Sequence, residues 1–298
     1  MTGRVPQVVR PAVGAACQYR GVDIRPITLD DLAVAPAWLL AADPRPDRWR
    51  NDSTRAVIGL DEDEIVASGR IFTTPVHASR YETEIIVAPD RRGRGLGSQV
   101  AAHLAELRPD PKPMCTRGYE SSQPVRFARY LGAHPYQTCP PQHVRTSSAA
   151  ALPSAGPGTV TAADVDAAEL HRAWTDTYAW MHDTWSPVAP GFEQALLAGF
   201  DADIDLAHSR FVVDPTVRAG AYVFRDMPKP VVVAECRTRD EPSGRRVLQA
   251  CIRDCLLSLA ADGTTAITFD GHHSDPHFRP LLDQLPTTGE TFLLLEWT

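Results

Sequence analysis

The stretch Glu84-Ile-Ile-Val-Ala-Pro-Asp-Arg-Arg-Gly-Arg-Gly-Leu-Gly-Ser-Gln-Val100 decides how this chain is read. An apolar strand enters a turn, glycines follow at alternate positions between arginines, and a helical pattern begins at Ser98. Backbone N–H groups at a glycine-rich helix start form a site for a diphosphate. Gly93, Gly95 and Gly97 carry no Cβ to block close approach, and Arg92 and Arg94 add positive charge. The bland alternative is a β-to-α turn without a ligand. Against it, arginines and alternating glycines have no packing reason to coincide.

Two phosphate loops do not fit. A P-loop needs Gly-x-x-x-x-Gly-Lys-Ser/Thr, and the lysine is missing. A dinucleotide fold needs Gly-x-Gly-x-x-Gly directly after its first strand, whereas here the spacing is Gly-x-Gly-x-Gly after Pro89-Asp90-Arg91. The pattern Val-x-Pro-x-x-Arg-Gly-x-Gly-x-Gly, over 87–97, resembles the pyrophosphate loop of the GNAT superfamily of acyl-CoA-dependent N-acyltransferases. The resemblance implies that Arg92, Gly93, Arg94, Gly95, Leu96, Gly97 and Ser98 hold the diphosphate of acetyl-CoA. It also implies that backbone groups of Ile86 and Val87 bond the pantetheine arm.

The 298 residues suit two domains. Hydrophobic content of 43% with 22% charged residues is that of a soluble globular protein. No apolar run approaches the roughly 20 residues that span a bilayer, and no secretory signal is expected at the N-terminus. Six cysteines without a Cys-x-x-Cys read as reduced thiols of a cytoplasmic protein. Residues 1–150 hold 19 basic and 16 acidic residues; the remainder holds 11 and 21. A basic half suits a phosphate-bearing co-substrate, an acidic half suits a cationic acceptor, and the imbalance argues against nucleic acid.

Outward from the loop, the first half reads β-α-β-β-β-α-β-α. Val22–Thr28 is a strand, Leu29 to about Ala42 a helix, and Thr54–Leu60 and Ile65–Thr73 a hairpin around Asp61-Glu-Asp-Glu64. Tyr81–Val87, the helix Ser98–Leu107, the strand Met114–Glu120 and the helix Gln123–Leu131 complete it. This order also resembles a GNAT domain, with the cofactor between splayed central strands. Residues 146–160 read as a Ser/Ala/Gly/Pro linker. Beyond it the plan recurs, ending in a strand at Thr291–Glu296. Laid ungapped on the first loop, the second puts Ser243 at the Arg92 position and keeps Gly244, but places Arg246 and Leu248 at the other two glycine positions. The expected fold is α+β: two tandem GNAT-like domains, each a mixed, mostly antiparallel sheet flanked by helices, the second a degenerate copy. Boundaries are expected at a tail 1–20, a domain 21–145, the linker 146–160 and a domain 161–298. The second domain is expected to complete the acceptor site or a homodimer interface.

An alkyl ammonium sits about three pKa units above neutrality, so freeing the amine costs roughly 4 kcal/mol, and a general base helps to deliver it. In the family a glutamate on the strand before the loop often plays this role. Glu82, Glu84 and Ile86 share one strand face, which makes Glu84 the first candidate and Glu82 the second. A solvated strand edge is the competing account. Relatives carry Asn-x-x-Ala-x-x-Phe-Tyr-x-x-x-Gly-Phe on the next helix, and the tyrosine protonates the leaving thiolate. Here Ser121 stands at the asparagine position and Ala128 at the tyrosine position, with Phe127 and Gly132 matching. Tyr130 lies about 200° around the helix and does not substitute. Ser121 or Ser122 is left to assist, or the thiolate departs unaided, which a thiol pKa near that of cysteine tolerates. The other consequence is a non-catalytic CoA-binding protein.

Trp174, Tyr178, Met181 and Trp185 form one helical stripe, read as packing or as an acceptor-pocket wall with Asp176 and Asp183 beside it. His272-His-Ser-Asp-Pro-His277 lacks the spacing of a metal site and reads as a solvated loop. The function expected is transfer of an acyl group, acetyl first, to a small-molecule amine, without metal, nucleic acid or membrane.

Overall fold

The computed structural model describes residues 22–154, 156–225 and 229–298, so the expected tail at 1–20 lies outside the described residues. β1 (Asp23–Pro26) leads into α1 (Leu29–Ala33) and α2 (Ala37–Leu40). A reciprocal cap starts α1: the Asp31 N–H donates to Thr28 Oγ1 at 3.3 Å, and the Thr28 N–H donates to the Asp31 carboxylate at 2.8 Å. The single helix expected to Ala42 is two short ones, because Pro36 offers no N–H to continue the first and caps the second. β2 (Arg55–Asp61) and β3 (Glu64–Phe72) make the hairpin, with Glu62 left-handed at φ 55° in its turn. β4 (Tyr81–Val87) pairs antiparallel with β3.

The chain then crosses over through α3 (Leu96–Glu106) to β5 (Met114–Tyr119). β4 and β5 are parallel neighbours over just Tyr81↔Met114 and Glu82↔Cys115. Beyond Glu82 they part, and a V opens toward the glycine loop. Val100 and Leu104 of α3 pack with Tyr81, Ile85 and Val87 on one face of the sheet. That leaves Glu82, Glu84 and Ile86 on the other, as period-2 alternation requires. α4 (Gln123–Tyr130) and β6 (His134–Cys139) follow.

β7 (His143–Arg145) leaves this sheet for a second one. That sheet adds β8 (Val160–Thr161) and, after α5 (Ala167–His182), α6 (Phe192–Leu196) and α7 (Phe200–Asp203), the strands β9 (Arg210–Val213), β10 (Val217–Phe224) and β11 (Val231–Cys236). α8 (Gly244–Ala261), β12 (Ala266–Phe269), α9 (Arg279–Leu282) and β13 (Thr287–Thr288) complete it. β11 and β12 are again parallel over two pairs, Val231↔Thr268 and Val232↔Phe269, so the second sheet repeats the splay.

The last strand, β14 (Phe292–Trp297), is placed differently from its expected position in the second half. It sits in the first sheet between β5 and β6, antiparallel to both. In return β7, from the expected first domain, lies between β12 and β13 of the second sheet. Residues 146–151 coil as a 3₁₀ turn, and Ala149 joins the α8 core cluster. Small side chains let this segment lie against the helix where linker composition suggested free chain. Leu293 and Leu295 of β14 bury against Val125 and Ala128 of α4, worth about 1.5–3 kcal/mol each. The two domains are therefore interlocked, and each sheet is completed by chain from across the boundary. The five described cysteines are buried and unbridged.

Candidate functional site

The glycine loop folds as its sequence demands. Gly93 and Gly95 take φ of 74° and 81°, the left-handed region that side chains disfavour, and Gly95 caps α3. The Ser98 and Gln99 amides turn back to the Gly95 carbonyl at 3.1 and 3.2 Å. Among the described residues no backbone hydrogen bond uses the amides of Gly93, Gly95, Leu96 or Gly97, so they remain available at the positive end of the helix. Gly97 is needed for another reason: a Cβ there would stand 3.1 Å from the Phe127 ring on α4.

A cavity of about 750 Å³ runs from this loop into the V. Ile86, Val87, Arg92, Gly93, Gly95, Leu96, Gly97 and Ser98 all line it, as does Glu84. Arg94 does not line it; its guanidinium donates to the Asp90 carbonyl at 3.2 Å. Free amides, two left-handed glycines and an arginine at the rim fit a diphosphate, and the apolar V beyond fits an extended thioester arm.

A second cavity, about 830 Å³, lies between the two sheets, at the aromatic stripe that the sequence left open as packing or as a pocket wall. Glu82 lines it, one strand repeat of about 7 Å from Glu84, which lines the first. The strand thus carries one carboxylate into each cavity where the V begins. The two carboxylates differ in their surroundings. Glu84 is half exposed and bound to Arg70, whose Nε donates to it at 2.7 Å while Nη1 holds the Asp43 carbonyl. Glu82 has no such clamp. Burial pushes its pKa up, the Arg117 charge and the Cys115 thiol oppose this, and the Glu84 charge adds to it. A carboxylate raised toward neutrality is the better general base. Glu84, the first candidate from the sequence, is held by Arg70, whereas Glu82, the second, is buried and unclamped beside the inter-sheet cavity.

Ser121 is not brought to either cavity. It is exposed at the end of β5, where its N–H donates to Glu290 at 3.1 Å. Ala128, at the tyrosine position, is buried under β14 with Val125, Leu293 and Leu295. Tyr130 is 78% exposed and reaches only the rim of the first cavity. Ser122, the other candidate, precedes α4 with its hydroxyl buried and without a hydrogen-bond partner, and it lines neither cavity.

The aromatic stripe lines the inter-sheet cavity through Trp174, Tyr178 and Trp185. Asp176 and Asp183 do not; Arg237 binds the first at 2.8 Å and Arg239 the second. His272 is a wall of this cavity and not the solvated loop residue its surroundings suggested. It packs 5.4 Å from His182, which in turn lies 4.9 Å from His77 of the first domain. Tyr178 bridges them, its hydroxyl 2.8 Å from His77 Nε2 and its carbonyl accepting from His182 Nδ1. Burial lowers the pKa of all three histidines, that of His182 to about 3. Glu235, on β11, closes the far end; burial raises its pKa well above the ordinary range, with Asp275 and Asp270 adding to it. The offset that sets Ser243 against Arg92 sets Glu235 against Glu84, a match that sequence alone could have found.

The second loop cannot take a diphosphate in the same way. Ser243 is left-handed at φ 58° and its carbonyl accepts from Arg246 and Val247. The His277 ring covers Gly244 so closely that a Cβ there would meet it at 2.4 Å. Leu248 is fully buried in the α8 core.

Residues 24–111 match the model of the Acetyltransferase (GNAT) family. No curated protein matches the chain in sequence. A tandem GNAT protein from the clavulanic acid biosynthesis pathway superposes with a TM-score of 0.55 at 14% identity, over 93% of this chain and 98% of its own. A probable N-acyltransferase from Enterococcus faecalis gives 0.53 at 11% identity, over 92% and 72%. A GCN5-related N-acetyltransferase from Sphaerobacter thermophilus gives 0.51 at 14%, over 92% and 95%.

Proposed function

We propose that this chain, whose first domain belongs to the acetyltransferase (GNAT) family and whose two domains together have the tandem-GNAT fold, transfers an acyl group from acetyl-CoA to a small-molecule amine held between its sheets. The observation that carries this reading is the placement of β4. One side of the V opens to the glycine loop, and the same strand sets Glu82 in the inter-sheet cavity.

The division of labour follows from the residues. The amides of the 93–97 loop and Arg92 hold the diphosphate, and the V admits the arm toward Glu82. Glu82 takes the proton of the bound ammonium. The amine nitrogen then bonds to the thioester carbonyl carbon and sheds its second proton to solvent, the carbon–sulfur bond breaks, and the departing thiolate takes a proton from solvent. The second domain supplies cavity wall and no loop. No helix of the described residues is long and apolar enough to cross a membrane.

The test is release of free thiol from acetyl-CoA over a panel of amines, by the protein and by Gly95→Trp. Amine-dependent release by the first alone is expected. Ala128 favours a second reading, a CoA-binding protein without turnover. Binding of acetyl-CoA with no release for any amine would select it.

A further inference from the structure

We propose that the acceptor carries a carboxylate close to its reacting amine, and that Arg117 receives it. The inference rests on the acyltransferase reading above and names the class of its acceptor as an α-amino acid with a bulky side chain. Glu82 and Arg117 stand on neighbouring strands. Glu82 pairs with Cys115, and Arg117 is two residues further along β5 on the same face, where the strands have begun to part. Both side chains line the inter-sheet cavity.

They are near enough for the Arg117 charge to act on Glu82, yet no nitrogen–oxygen pair of theirs comes within 4.0 Å. Among the described residues Arg117 makes no hydrogen bond and no ion pair. The other arginine at this end, Arg80, is already engaged: its Nε donates to Glu296 at 2.5 Å and its guanidinium lies 4.0 Å above the Tyr136 ring. A guanidinium facing a cavity with its fork empty suits a planar carboxylate. An amine and a carboxylate on one carbon would fill the gap between base and fork together.

The rest of the cavity sets the side chain. Tyr119 and Phe292 meet edge-on with centroids 5.3 Å apart beside Arg117, and Tyr136 faces Trp185 at 6.0 Å. The three histidines beyond them are held neutral by burial, so this wall offers ring surface without added positive charge. A simple cationic amine would leave Arg117 unpaired beside it, which like-charge repulsion disfavours.

The experiment is calorimetric, with CoA present. Dissociation constants are measured for phenylalanine, tyrosine, tryptophan, leucine and histidine, and for the amines that lack only their carboxylate: 2-phenylethylamine, tyramine, tryptamine, isopentylamine and histamine. At least one acid should bind about tenfold or more tighter than its amine, the scale of a charge-assisted hydrogen bond. Arg117→Gln should bring that pair within about twofold, and Arg117→Lys should restore part of the gap. No acid outbinding its amine, or a gap that survives in Arg117→Gln, overturns the proposal. The readout needs no turnover, so the two failures are distinct: absence of thiol release for every amine would sink the acyltransferase reading and leave an amino-acid site without an acceptor role, whereas a failed binding comparison would sink this proposal alone.

Discussion

The two helix starts of this molecule, at α3 and at α8, have the same place in the same fold, one open and the other filled. At α3 the loop rises through two left-handed glycines, leaves amides open and stands over a cavity. At α8 an imidazole lies on Gly244, and Leu248 fills the core where Gly97 stands in the first copy. Both sheets splay after two parallel pairs, so the V is a property of the fold. What separates the two helix starts is Arg246 and Leu248 at two of the three glycine positions and the His277 ring over the third. The comparison extends to the carboxylates. Glu84 and Glu235 correspond, yet one is clamped by Arg70 at the surface and the other is buried in the shared cavity.

The interlock can be broken most drastically. Ending the chain at Glu290 removes β14 and leaves β5 and β6 with open edges and Leu293 and Leu295 missing from the α4 core. Neither domain should then be recovered folded, although the cut lies about 180 residues beyond the family match. A first domain that stays soluble and binds CoA after this cut would show that the strand exchange is not needed for it.

Next in size is Gly97→Leu, which gives the first loop the residue of the second. Its side chain enters the space of Phe127 and the cavity mouth, and affinity for CoA should fall by about a hundredfold, roughly 3 kcal/mol. Titration calorimetry checks this, with circular dichroism to establish the fold. Undiminished binding would place the diphosphate elsewhere.

Glu82→Gln against Glu84→Gln sharpens the contrast of the two carboxylates. The first should lower kcat by about 10²–10³ and remove the acid limb of the pH–rate profile. That limb should lie above the ordinary glutamate range, because burial raises Glu82. The second should change kcat by less than about fivefold, because Glu84 already serves Arg70. Equal losses would return Glu84 to the mechanism.

The smallest effect is on stability. His182 has a folded pKa of about 3, below its unfolded value, so its contribution is complete above about pH 6.5 and is lost as pH falls through that window toward 3. The loss approaches about 1.4 kcal/mol per pH unit. Glu235 runs the other way: raised when folded, it costs stability as pH rises above the unfolded glutamate value of about 4.3. Melting curves should flatten between pH 5.5 and 6.5 in His182→Gln, and Glu235→Gln should gain stability at pH 7.5. Unchanged slopes would mean that water reaches the cavity freely.

The first loop was legible because everything it needs is local. Backbone freedom at Gly93 and Gly95, room at Gly97 and charge at Arg92 are set within seven residues. The degenerate copy was legible for the same reason, through Arg246 and Leu248. The choice between Glu82 and Glu84 was not, because period-2 alternation puts both on one face. Arg70, on the neighbouring strand, separates them. The inter-sheet cavity was harder still. Its walls come from β4, β5, β6, α5, β11, β12 and β14, and no window of sequence holds more than a fragment of it.

By itself the sequence determined two splayed-sheet domains and the glycine conformation of one loop, since strand periodicity and glycine conformation act between near neighbours in the chain. Only the tertiary structure decided that β14 belongs to the first sheet, that His272 and the aromatic stripe face a cavity, and that Glu82 and Arg117 both line it. Those facts depend on which surfaces bury one another, and apolar burial is non-directional and blind to separation along the chain.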